Sequence, residues 1–583
     1  MTNREITTAW STLIVDELVR HGISRFCISP GSRSTPLTAA AARNTGTVCG
    51  TFPDERAAAF FALGYARATA EPAVLICTSG TAVANYFPAV VEASLDNQPM
   101  LIFSADRPFE LLETGANQTI RQQGIFGSYT RWHMELSEPS EAVPADALLS
   151  TITHAVRRSI GTPPGPVHLN LPFREPFDPV VLPPETSWAP KLKREKTDEK
   201  PFNSFAKRHS ITGERTIDHL QRLLSNASCP LITAGNLDCA ADADAILGLA
   251  ETLNAPLYAD ISSRLRLREE RHPLQPLFLS EQFTSSFKPD LVLHFGGKLV
   301  GKRLPAAVKQ WNPEHFIVVN NSLSRYNPDH NVTLQIEAPP DDCALRLASH
   351  AERTFPDVLP LKTIFLKIEE ELSRCTAQEQ PVTEISASRI VSAMIPHGHG
   401  LFLANSMPIR DMDTYAAQRP RSDVPRCIMN RGTSGIDGNI ATAAGYAQGA
   451  EAPVTVLIGD IAFLHDLNSL ALLQSQRHPL HIVVLNNNGG GIFSFLPIAS
   501  QEDIFEPFFG TPQNYSIRSA AETFGTDYEN PATNRQFIEC YTAMCRSNRS
   551  GIIEISSSRK HNFEQHKNLN GLLAKQIDRH LCS

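Results

Sequence analysis

Short apolar runs alternate with stretches of helical periodicity along most of this chain. In its first part the pattern predicts helices over Ala9–His21 and Asp54–Thr69, and strands over Arg25–Ile28, Ala73–Cys77 and Met100–Ser104. Such alternation is typical of a parallel sheet with helices on both faces. The first part is therefore predicted to be a doubly wound α/β domain.

The same alternation returns twice. The second segment has predicted strands at Pro230–Thr233, Leu291–Phe295 and Phe316–Val319 and a helix at Ala240–Leu253. At 583 residues the chain is too long for one hydrophobic core. We predict three doubly wound parallel-sheet α/β domains in series. They cover residues 1–180, 211–352 and 385–583, with linkers at 181–210 and 353–384, the second linker containing a helix over Leu361–Arg374.

Two apolar runs in the third segment end in polar residues. Gly459-Asp460 closes Val454–Ile458, Asn486–Gly489 closes His481–Leu485, and the leucines of Asp466–Gln476 predict a helix between them. A right-handed crossover makes such strands parallel, so Asp460 and Asn487 are expected at one carboxyl edge of a sheet. Their oxygens suit Mg²⁺ shared with a phosphate. The alternative is an ordinary turn with solvated polar caps.

Composition excludes several classes of protein. The net charge is −8, from 53 basic and 61 acidic residues, with no basic block that would indicate nucleic acid binding. No window approaches the roughly 18 apolar residues of a membrane span, and the N-terminal residues do not resemble a secretion signal. The 11 cysteines are scattered without metal-site spacing. We therefore expect a cytoplasmic protein that neither spans a membrane nor binds nucleic acid.

The Gly-Asp and Asn-Asn pair resembles the metal-diphosphate motif of thiamine-diphosphate (ThDP) enzymes. The resemblance implies pyrimidine-binding, middle and diphosphate-binding domains, and a Mg²⁺ or Mn²⁺ ion held by Asp460, Asn487 and the carbonyl of Gly489. Many family members carry a second glycine where this chain has Ile461.

The family also needs a glutamate beside the pyrimidine ring, and Glu55 occupies the matching place. From the residues alone, Glu55 is equally an acidic residue that complements the dipole of a helix start. The resemblance implies that it hydrogen-bonds the ring and promotes loss of the thiazolium proton. A carboxyl group beside an apolar helix face can retain the proton that this role needs.

Further motifs match throughout the chain. They are Ile28–Leu37, Thr78–Asn85, Ala105–Pro108, Gly115–Gln122, Gly301–Arg303, Asn405-Ser406 with Arg410, and Asn430–Gly438. Together they resemble the branch of the ThDP family that serves menaquinone biosynthesis, in which Ile461 is no longer a departure. The resemblance implies that 2-oxoglutarate is decarboxylated on ThDP and that the resulting succinyl carbanion adds in a 1,4 sense to isochorismate.

The same resemblance assigns the site residues. Those assigned to isochorismate are Ser32, Arg33, Arg107, Gln118, Lys302 and Arg303, those assigned to the oxoglutarate-derived carboxylate are Ser406, Arg410 and Arg431, and Asn117 is assigned to substrate binding without a choice between the two. Those assigned to the cofactor, besides Glu55, Asp460 and Asn487, are Ser79, Gly432, Ser434, Gly435, Ile436, Ile492, Phe493 and Leu496. Two dianionic substrates beside a diphosphate need several fixed cations, which this inventory supplies. A surface ion pair remains the alternative for any single arginine.

Members of the family build each site from two subunits, which implies a homodimer or homotetramer. Other functions remain open. Gly296–Arg303 nearly matches a phosphate-binding loop, but Arg303 replaces the Ser or Thr that holds Mg²⁺. Acetohydroxyacid synthases, 2-oxoacid decarboxylases and a catalytically silent ThDP-binding protein are further alternatives.

Overall fold

The computed structural model describes residues 1–182, 200–206, 210–237, 239–270, 273–322, 324–351, 353–356 and 360–581. The chain forms two compact units. One consists of Met1–Lys207, Asn430–Glu451 and His465–Arg477, and the other of Arg208–Met429, Ala452–Leu464 and His478–Ser583. Most of the predicted linker at 181–210 lies outside the described residues.

The first unit is built around a six-stranded parallel sheet. Its strands are β1 Arg25–Ile28, β2 Val48–Thr51, β3 Val74–Cys77, β4 Met100–Asp106, β5 Trp132–Glu135 and β6 Pro166–Pro172, in the order β2-β1-β3-β4-β6-β5. Its helices are Asn3–Arg20, Thr35–Arg43, Glu55–Thr69, Thr81–Asn85, Phe87–Leu95, Ala145–Ile160 and Asn439–Ala450, with 3₁₀ turns at Phe109–Leu111, Gly127–Tyr129 and Leu467–Ser475. The central strands β3, β4 and β6 are buried along their whole length because helices cover both faces.

The second unit contains two parallel sheets, the first of five strands. They are β7 Pro230–Ala234, β8 Leu257–Ala259, β9 Leu291–Phe295, β10 His315–Asn320 and β11 Leu334–Glu337, in the order β11-β10-β9-β7-β8. The helices of this part are Glu214–Asn226, Ala240–Leu253, Glu281–Ser286, Arg303–Trp311, Pro340–Ser349 and Leu361–Cys375, with 3₁₀ turns at Ile261–Ser263 and Pro276–Phe278.

The other sheet has six strands. They are β12 Gly400–Leu403, β13 Arg426–Ile428, β14 Val454–Gly459, β15 Leu480–Asn486, β16 Asp527–Glu529 and β17 Gly551–Ser556, in the order β13-β12-β14-β15-β17-β16. Its helices are Glu384–Met394, Met407–Tyr415, Asp460–His465, Glu502–Phe505, Ile517–Thr523, Asn534–Arg546 and Arg559–Leu581. Shorter turns lie at Arg421–Asp423, Gly491–Phe495, Pro497–Ser500 and Glu506–Gly510.

The predicted fold class, three parallel sheets flanked by helices, is confirmed. The helix predicted over Asp466–Gln476 is present over Leu467–Ser475, as a 3₁₀ helix. Its start is fixed by Asp466, whose buried carboxylate accepts hydrogen bonds from the backbone amides of Ile440 and Ala441 and from the Ser469 hydroxyl. Leucine spacing alone does not distinguish the two helix types.

The first and third sheets have the same strand order, and that order reverses between two neighbouring strands. In the first sheet the reversal lies between β1 and β3, and in the third between β12 and β14. Open α/β sheets bind ligands outside the carboxyl ends of the strands at such a reversal. The five-stranded sheet reverses likewise between β7 and β9, so the fold marks one place for a ligand in the first unit and two in the second.

Two helices of the first unit pack closely through glycines. A Cβ atom on Gly64 would lie 1.9 Å from the carbonyl oxygen of Thr442, and one on Gly445 would lie 1.9 Å from that of Phe61. Glycine is required at both positions because the two backbones approach within the radius of a side chain. This contact fixes the helix that begins at Glu55 against the helix Asn439–Ala450. Within the described residues, no helix has the length and apolar character needed to cross a bilayer.

Candidate active site

Asp460 and Gly489 meet at the carboxyl edge of the third sheet, in the second unit. Asp460 follows β14, and its Oδ2 accepts a hydrogen bond of 2.7 Å from the backbone amide of Gly489 in the loop after β15. The hydroxyl of Tyr515 donates to the Asp460 carbonyl oxygen at 2.8 Å. Burial raises the pKa of the Asp460 carboxyl to about 6, against the opposing effect of the Gly489 and Ile461 amides. A buried carboxylate of this kind is stabilised by a cation.

Asn487 lies in the same loop as Gly489, and the two ends of its side-chain amide have different surroundings. Its Nδ2 donates to Oε1 of Glu384 at 2.9 Å, while its Oδ1 is buried and has no hydrogen-bond partner among the described residues. A Cβ atom at Gly491 would lie 2.5 Å from Nδ2, so the Asn487 amide needs glycine there. A buried carbonyl oxygen without a partner, in the loop whose Gly489 amide binds the Asp460 carboxylate, fits the donor set that Mg²⁺ or Mn²⁺ takes.

Glu384 belongs to a buried polar network. Its Oε1 also accepts from the Ser557 hydroxyl at 2.9 Å, and burial, with the charge of Asp411, raises its pKa to about 7. His566, on the C-terminal helix, contacts Asp411 through Nε2 at 2.8 Å. Burial disfavours the charged imidazole, yet the charge of Asp411 and its hydrogen bond raise the pKa of His566 to about 9.

The turn Gly491–Phe495 carries the predicted apolar wall. Ile492 and Phe493 are half-buried, and Phe493 packs edge-to-face on Phe509 with ring centroids 5.6 Å apart. Leu496 is 47% exposed, which leaves its side chain available to a ligand. Phe495 packs against His566 at a centroid distance of 5.3 Å, so the C-terminal helix supports this turn.

Glu55 begins a helix of the first unit. Asp54 caps that helix, its Oδ1 accepting from the Ala57 amide at 3.2 Å. The Glu55 side chain is half-buried, and the described residues give its carboxyl group no hydrogen-bond partner. A carboxyl group held at a helix start and left without a partner can bind a ligand nitrogen.

The predicted diphosphate loop is also in the first unit. The backbone amides of Gly432 and Thr433 each donate to the Glu92 carboxylate at 2.7 Å. Glu92 is buried and forms an ion pair with Arg67. These two amides are therefore engaged within the chain. Ser434 and Ile436, later in the loop, are exposed, and Ser434 has a left-handed backbone with φ 62°.

Arg33 and Arg107 are buried close together at the strand-order reversal of the first sheet. Arg33 donates to the Phe173 carbonyl at 2.6 Å and lies over the Phe177 ring, and Arg107 donates to the Ser79 hydroxyl. Burial lowers the pKa of Arg33, and the charge of Arg107 lowers it further. Arg33 also forms an ion pair with the exposed Glu175 at 3.4 Å, and guanidinium groups held in this way can bind a carboxylate. The nearby Ser32, Asn117 and Gln118 are exposed.

The remaining predicted residues fall in both units. In the second unit, Ser406 ends the segment after β12 with φ 76°, and Arg410 donates to its carbonyl oxygen at 2.5 Å. Lys302 and Arg303 are exposed at the start of helix Arg303–Trp311. Burial and the charge of Asp260 raise the pKa of Asp413, on the helix that carries Arg410, and the charges of Arg266 and Arg303 oppose this rise. Arg431 is half-buried in the first unit.

Sequence reasoning missed Glu384 and Glu92, the two carboxylates that organise these loops. Glu92 lies in the otherwise apolar helix Phe87–Leu95, and an acid in such surroundings is a sign of a buried partner. Glu384, between Thr383 and Ile385, looks like an ordinary acidic residue of a first helical turn, and only the fold brings it to Asn487, 103 residues away.

Comparison with known proteins gives the same picture over the whole length. Residues 9–125 match the N-terminal thiamine pyrophosphate (TPP) binding domain of TPP enzymes, 186–403 the middle domain, and 411–555 the C-terminal TPP binding domain. A protein from Mycobacterium smegmatis described as a thiamin diphosphate-dependent enzyme has a similar fold, with a TM-score of 0.69 at 18% identity, over 94% of this chain and 99% of its own.

Curated relatives are much closer in sequence. The chain is 64% identical to the 2-succinyl-5-enolpyruvyl-6-hydroxy-3-cyclohexene-1-carboxylate synthase of Chlorobium phaeobacteroides strain BS1, over 100% of both chains. It is 55% identical to the enzyme of the same name from Prosthecochloris aestuarii, over 99% of both. The chain is thus a thiamine-diphosphate enzyme and belongs to the family of 2-succinyl-5-enolpyruvyl-6-hydroxy-3-cyclohexene-1-carboxylate synthases.

Proposed function

We propose that this protein is a transferase of menaquinone biosynthesis. It decarboxylates 2-oxoglutarate and joins the succinyl unit to isochorismate by 1,4-addition, releasing CO₂ and 2-succinyl-5-enolpyruvyl-6-hydroxy-3-cyclohexene-1-carboxylate. The observation that carries the proposal is the 64% identity to a synthase of this name across the full length of both chains. The buried carboxylate, amide and guanidinium groups of the candidate site also support it.

Asp460, Asn487 and the carbonyl oxygen of Gly489 are proposed to hold Mg²⁺ or Mn²⁺ with the diphosphate of the cofactor. The unpartnered Oδ1 of Asn487 and the buried Asp460 carboxylate support this role. Further cofactor contacts are assigned to the loop around Ser434 and Gly435 and to Ser79. Bound thiamine diphosphate supplies the electron sink for decarboxylation and carbon–carbon bond formation.

Glu55 is proposed to hold a proton against the pyrimidine ring and thereby to favour the cofactor's activated state. Its position at the start of a helix fixed by Gly64 gives the carboxyl group a rigid support. Such a positioned acid–base group typically contributes about 10²- to 10⁴-fold to a rate. Ile492, Phe493 and Leu496 would exclude water from the reacting carboxylate.

The cationic residues are proposed to recognise the two dianions. Arg33 and Arg107, with Ser32, Gln118, Lys302 and Arg303, are assigned to isochorismate, and Ser406, Arg410 and Arg431 to the carboxylate from 2-oxoglutarate. Asn117 is assigned to substrate binding without a choice between the two. Buried guanidinium pairs such as Arg33 and Arg107 bind carboxylates in a bidentate manner more readily than they bind neutral substrates. The preference of these guanidinium groups for carboxylates favours the two proposed dianionic substrates over the smaller acceptors of acetohydroxyacid synthases.

The active enzyme is proposed to be a homodimer or homotetramer in which each site takes residues from two subunits. We also propose the domain limits 1–180, 211–352 and 385–583. A cytoplasmic location is supported by the cysteines, because the ten in the described part of the chain are all free thiols.

The proposal is tested by mixing the protein with ThDP, Mg²⁺, 2-oxoglutarate and isochorismate and following the loss of isochorismate. Loss that requires all four components is expected. Loss that proceeds equally without 2-oxoglutarate, or no loss at all, would contradict the proposed reaction.

A further inference from the structure

The side-chain amide nitrogen of Asn487 donates a hydrogen bond to Glu384, and among the described residues this is its only side-chain partner. Glu384 starts the helix Glu384–Met394, and its side chain is almost completely buried, with 1% of the residue exposed. Ser557 donates a second hydrogen bond, of 2.9 Å, to the same carboxyl oxygen. Two donors from different elements therefore fix this oxygen in place.

An asparagine amide can present either its oxygen or its nitrogen in a given direction, because the two ends have nearly the same shape. Glu384 Oε1, which already receives two donors, favours the nitrogen end of Asn487 on its side. The opposite end, Oδ1, then points away from Glu384, and it is the buried atom without a partner. Gly491 leaves room for the amide, since a Cβ atom there would lie 3.3 Å from Oδ1 as well as 2.5 Å from Nδ2.

We infer that Glu384 is a positioning residue for the divalent metal, which it influences by fixing the orientation of the Asn487 amide. The inference rests on the proposed metal site and adds to it a residue that contacts the proposed ligand Asn487 and not the metal itself. Without the Glu384 carboxylate, no hydrogen bond among the described residues distinguishes the nitrogen end of the Asn487 amide from its oxygen end. Partners behind a metal ligand commonly change metal affinity by about 10- to 100-fold.

The neighbouring residue Asn486 provides a matched control. Its Nδ2 donates to Oε1 of Glu554 at 2.7 Å, which is the same kind of contact one residue earlier on the strand. Asn486 is not among the proposed ligands. Replacing Glu554 therefore removes a comparable hydrogen bond from the same strand without touching the orientation of Asn487.

The test compares wild type with the Glu384→Gln, Glu384→Met and Glu554→Gln variants. Mn²⁺ binding in the presence of ThDP is measured from the electron paramagnetic resonance of free Mn²⁺, and thermal unfolding of each metal-free variant reports its folding. Glu384→Gln keeps the size of the side chain but accepts either end of the Asn487 amide. We expect it to weaken Mn²⁺ binding by several-fold and Glu384→Met by about 10-fold or more, with Glu554→Gln within twofold of wild type.

Mn²⁺ affinity that is unchanged in Glu384→Gln and in folded Glu384→Met would overturn the inference. Equal weakening in Glu554→Gln would also overturn it, because the effect would then be one of general destabilisation. If Glu384→Met does not fold, the comparison of Glu384→Gln with Glu554→Gln decides alone. Wild-type protein that fails to bind Mn²⁺ with ThDP would refute the proposed metal site itself, a result distinguishable from a failure of Glu384 alone.

Discussion

The Asp460 carboxylate accepts a hydrogen bond of 2.7 Å from the backbone amide of Gly489, which joins the loops after two neighbouring parallel strands. One carboxyl oxygen is engaged in this contact. Asparagine at position 460 would preserve an acceptor for the Gly489 amide but would remove the charge. The contact therefore allows the structural role of Asp460 to be separated from its role toward a cation.

We predict that Asp460→Asn binds Mn²⁺ in the presence of ThDP at least about 10-fold more weakly, since the charged ligand is lost. Its thermal unfolding without metal is expected to be no lower than that of wild type, because burial disfavours the charged carboxylate and raises its pKa. Mn²⁺ titration and calorimetry check the two expectations. Unaltered Mn²⁺ affinity in a folded variant would exclude Asp460 as a ligand.

Glu55→Gln is predicted to lower turnover by about 10²- to 10⁴-fold, as expected when a positioned proton donor is lost. The thermal unfolding midpoint should remain that of wild type, since the described residues give the Glu55 carboxyl no hydrogen-bond partner that the substitution would break. Turnover is measured with both substrates at saturation. Glu71→Gln, exposed beyond the end of the same helix, is the control and should retain full turnover. A Glu55→Gln enzyme as fast as this control would refute the role assigned to Glu55.

Arg33→Lys is predicted to lower kcat/KM for isochorismate by about 10-fold or more, because lysine keeps the charge but loses the bidentate fork. The KM for 2-oxoglutarate should change much less. Steady-state kinetics with each substrate varied in turn measure the difference. The control is Arg174→Lys, since Arg174 forms a partly exposed ion pair with Glu110. Equal effects on both substrates would mean that Arg33 serves the fold and not isochorismate.

The His566 pair with Asp411 predicts how stability depends on pH. The pKa of His566 is raised from 6.5 to about 9 in the folded protein, where Asp411 outweighs the opposing effect of burial. The folded state therefore holds a proton that the unfolded chain releases above pH 6.5. Its stabilising effect is complete below that pH and is lost as pH rises toward 9, by a slope on the order of 1 kcal/mol per pH unit.

Unfolding of the metal-free protein between pH 7 and 9 measures this slope. Glu384, whose pKa burial raises from 4.5 to about 7, is still partly protonated at pH 7 and adds a slope of the same sign near that end of the window, so the test lies in the difference between two histidine variants. We expect His566→Asn to flatten the slope and His580→Asn, on the same helix, to leave it unchanged. The same slope in both variants would assign the pH dependence to other groups.

Much of the fold could be predicted because most central strands are short, buried runs of mainly apolar residues between helices. Strands β1 and β9 and helix Ala240–Leu253 have the predicted limits. The segment after Asp460 could not be predicted in the same way, since Asp466 ends one helix and starts another by binding backbone amides far along the chain. Periodicity carries no information on such a long-range hydrogen bond.

The candidate site shows the same division. Asp460 and Asn487 could be placed at one sheet edge from the crossover rule, and the contact of Asp460 with Gly489 agrees with that placement. Glu384 and Glu92 could not be predicted as site residues, because each forms its hydrogen bonds with a loop that is more than 100 residues away in sequence. The resemblance to a family supplied the roles of the arginines, for which local sequence is equally compatible with surface ion pairs.

The proposed reaction is tested most directly by the fate of carbon. The protein is incubated with ThDP, Mg²⁺, isochorismate and 2-oxoglutarate labelled with ¹³C at every position, and CO₂ and the product are analysed by mass spectrometry. We expect one labelled CO₂ for each isochorismate consumed and the remaining four labelled carbons in the product. Labelled CO₂ without consumption of isochorismate, or a product without label, would contradict the assignment of this protein as the synthase.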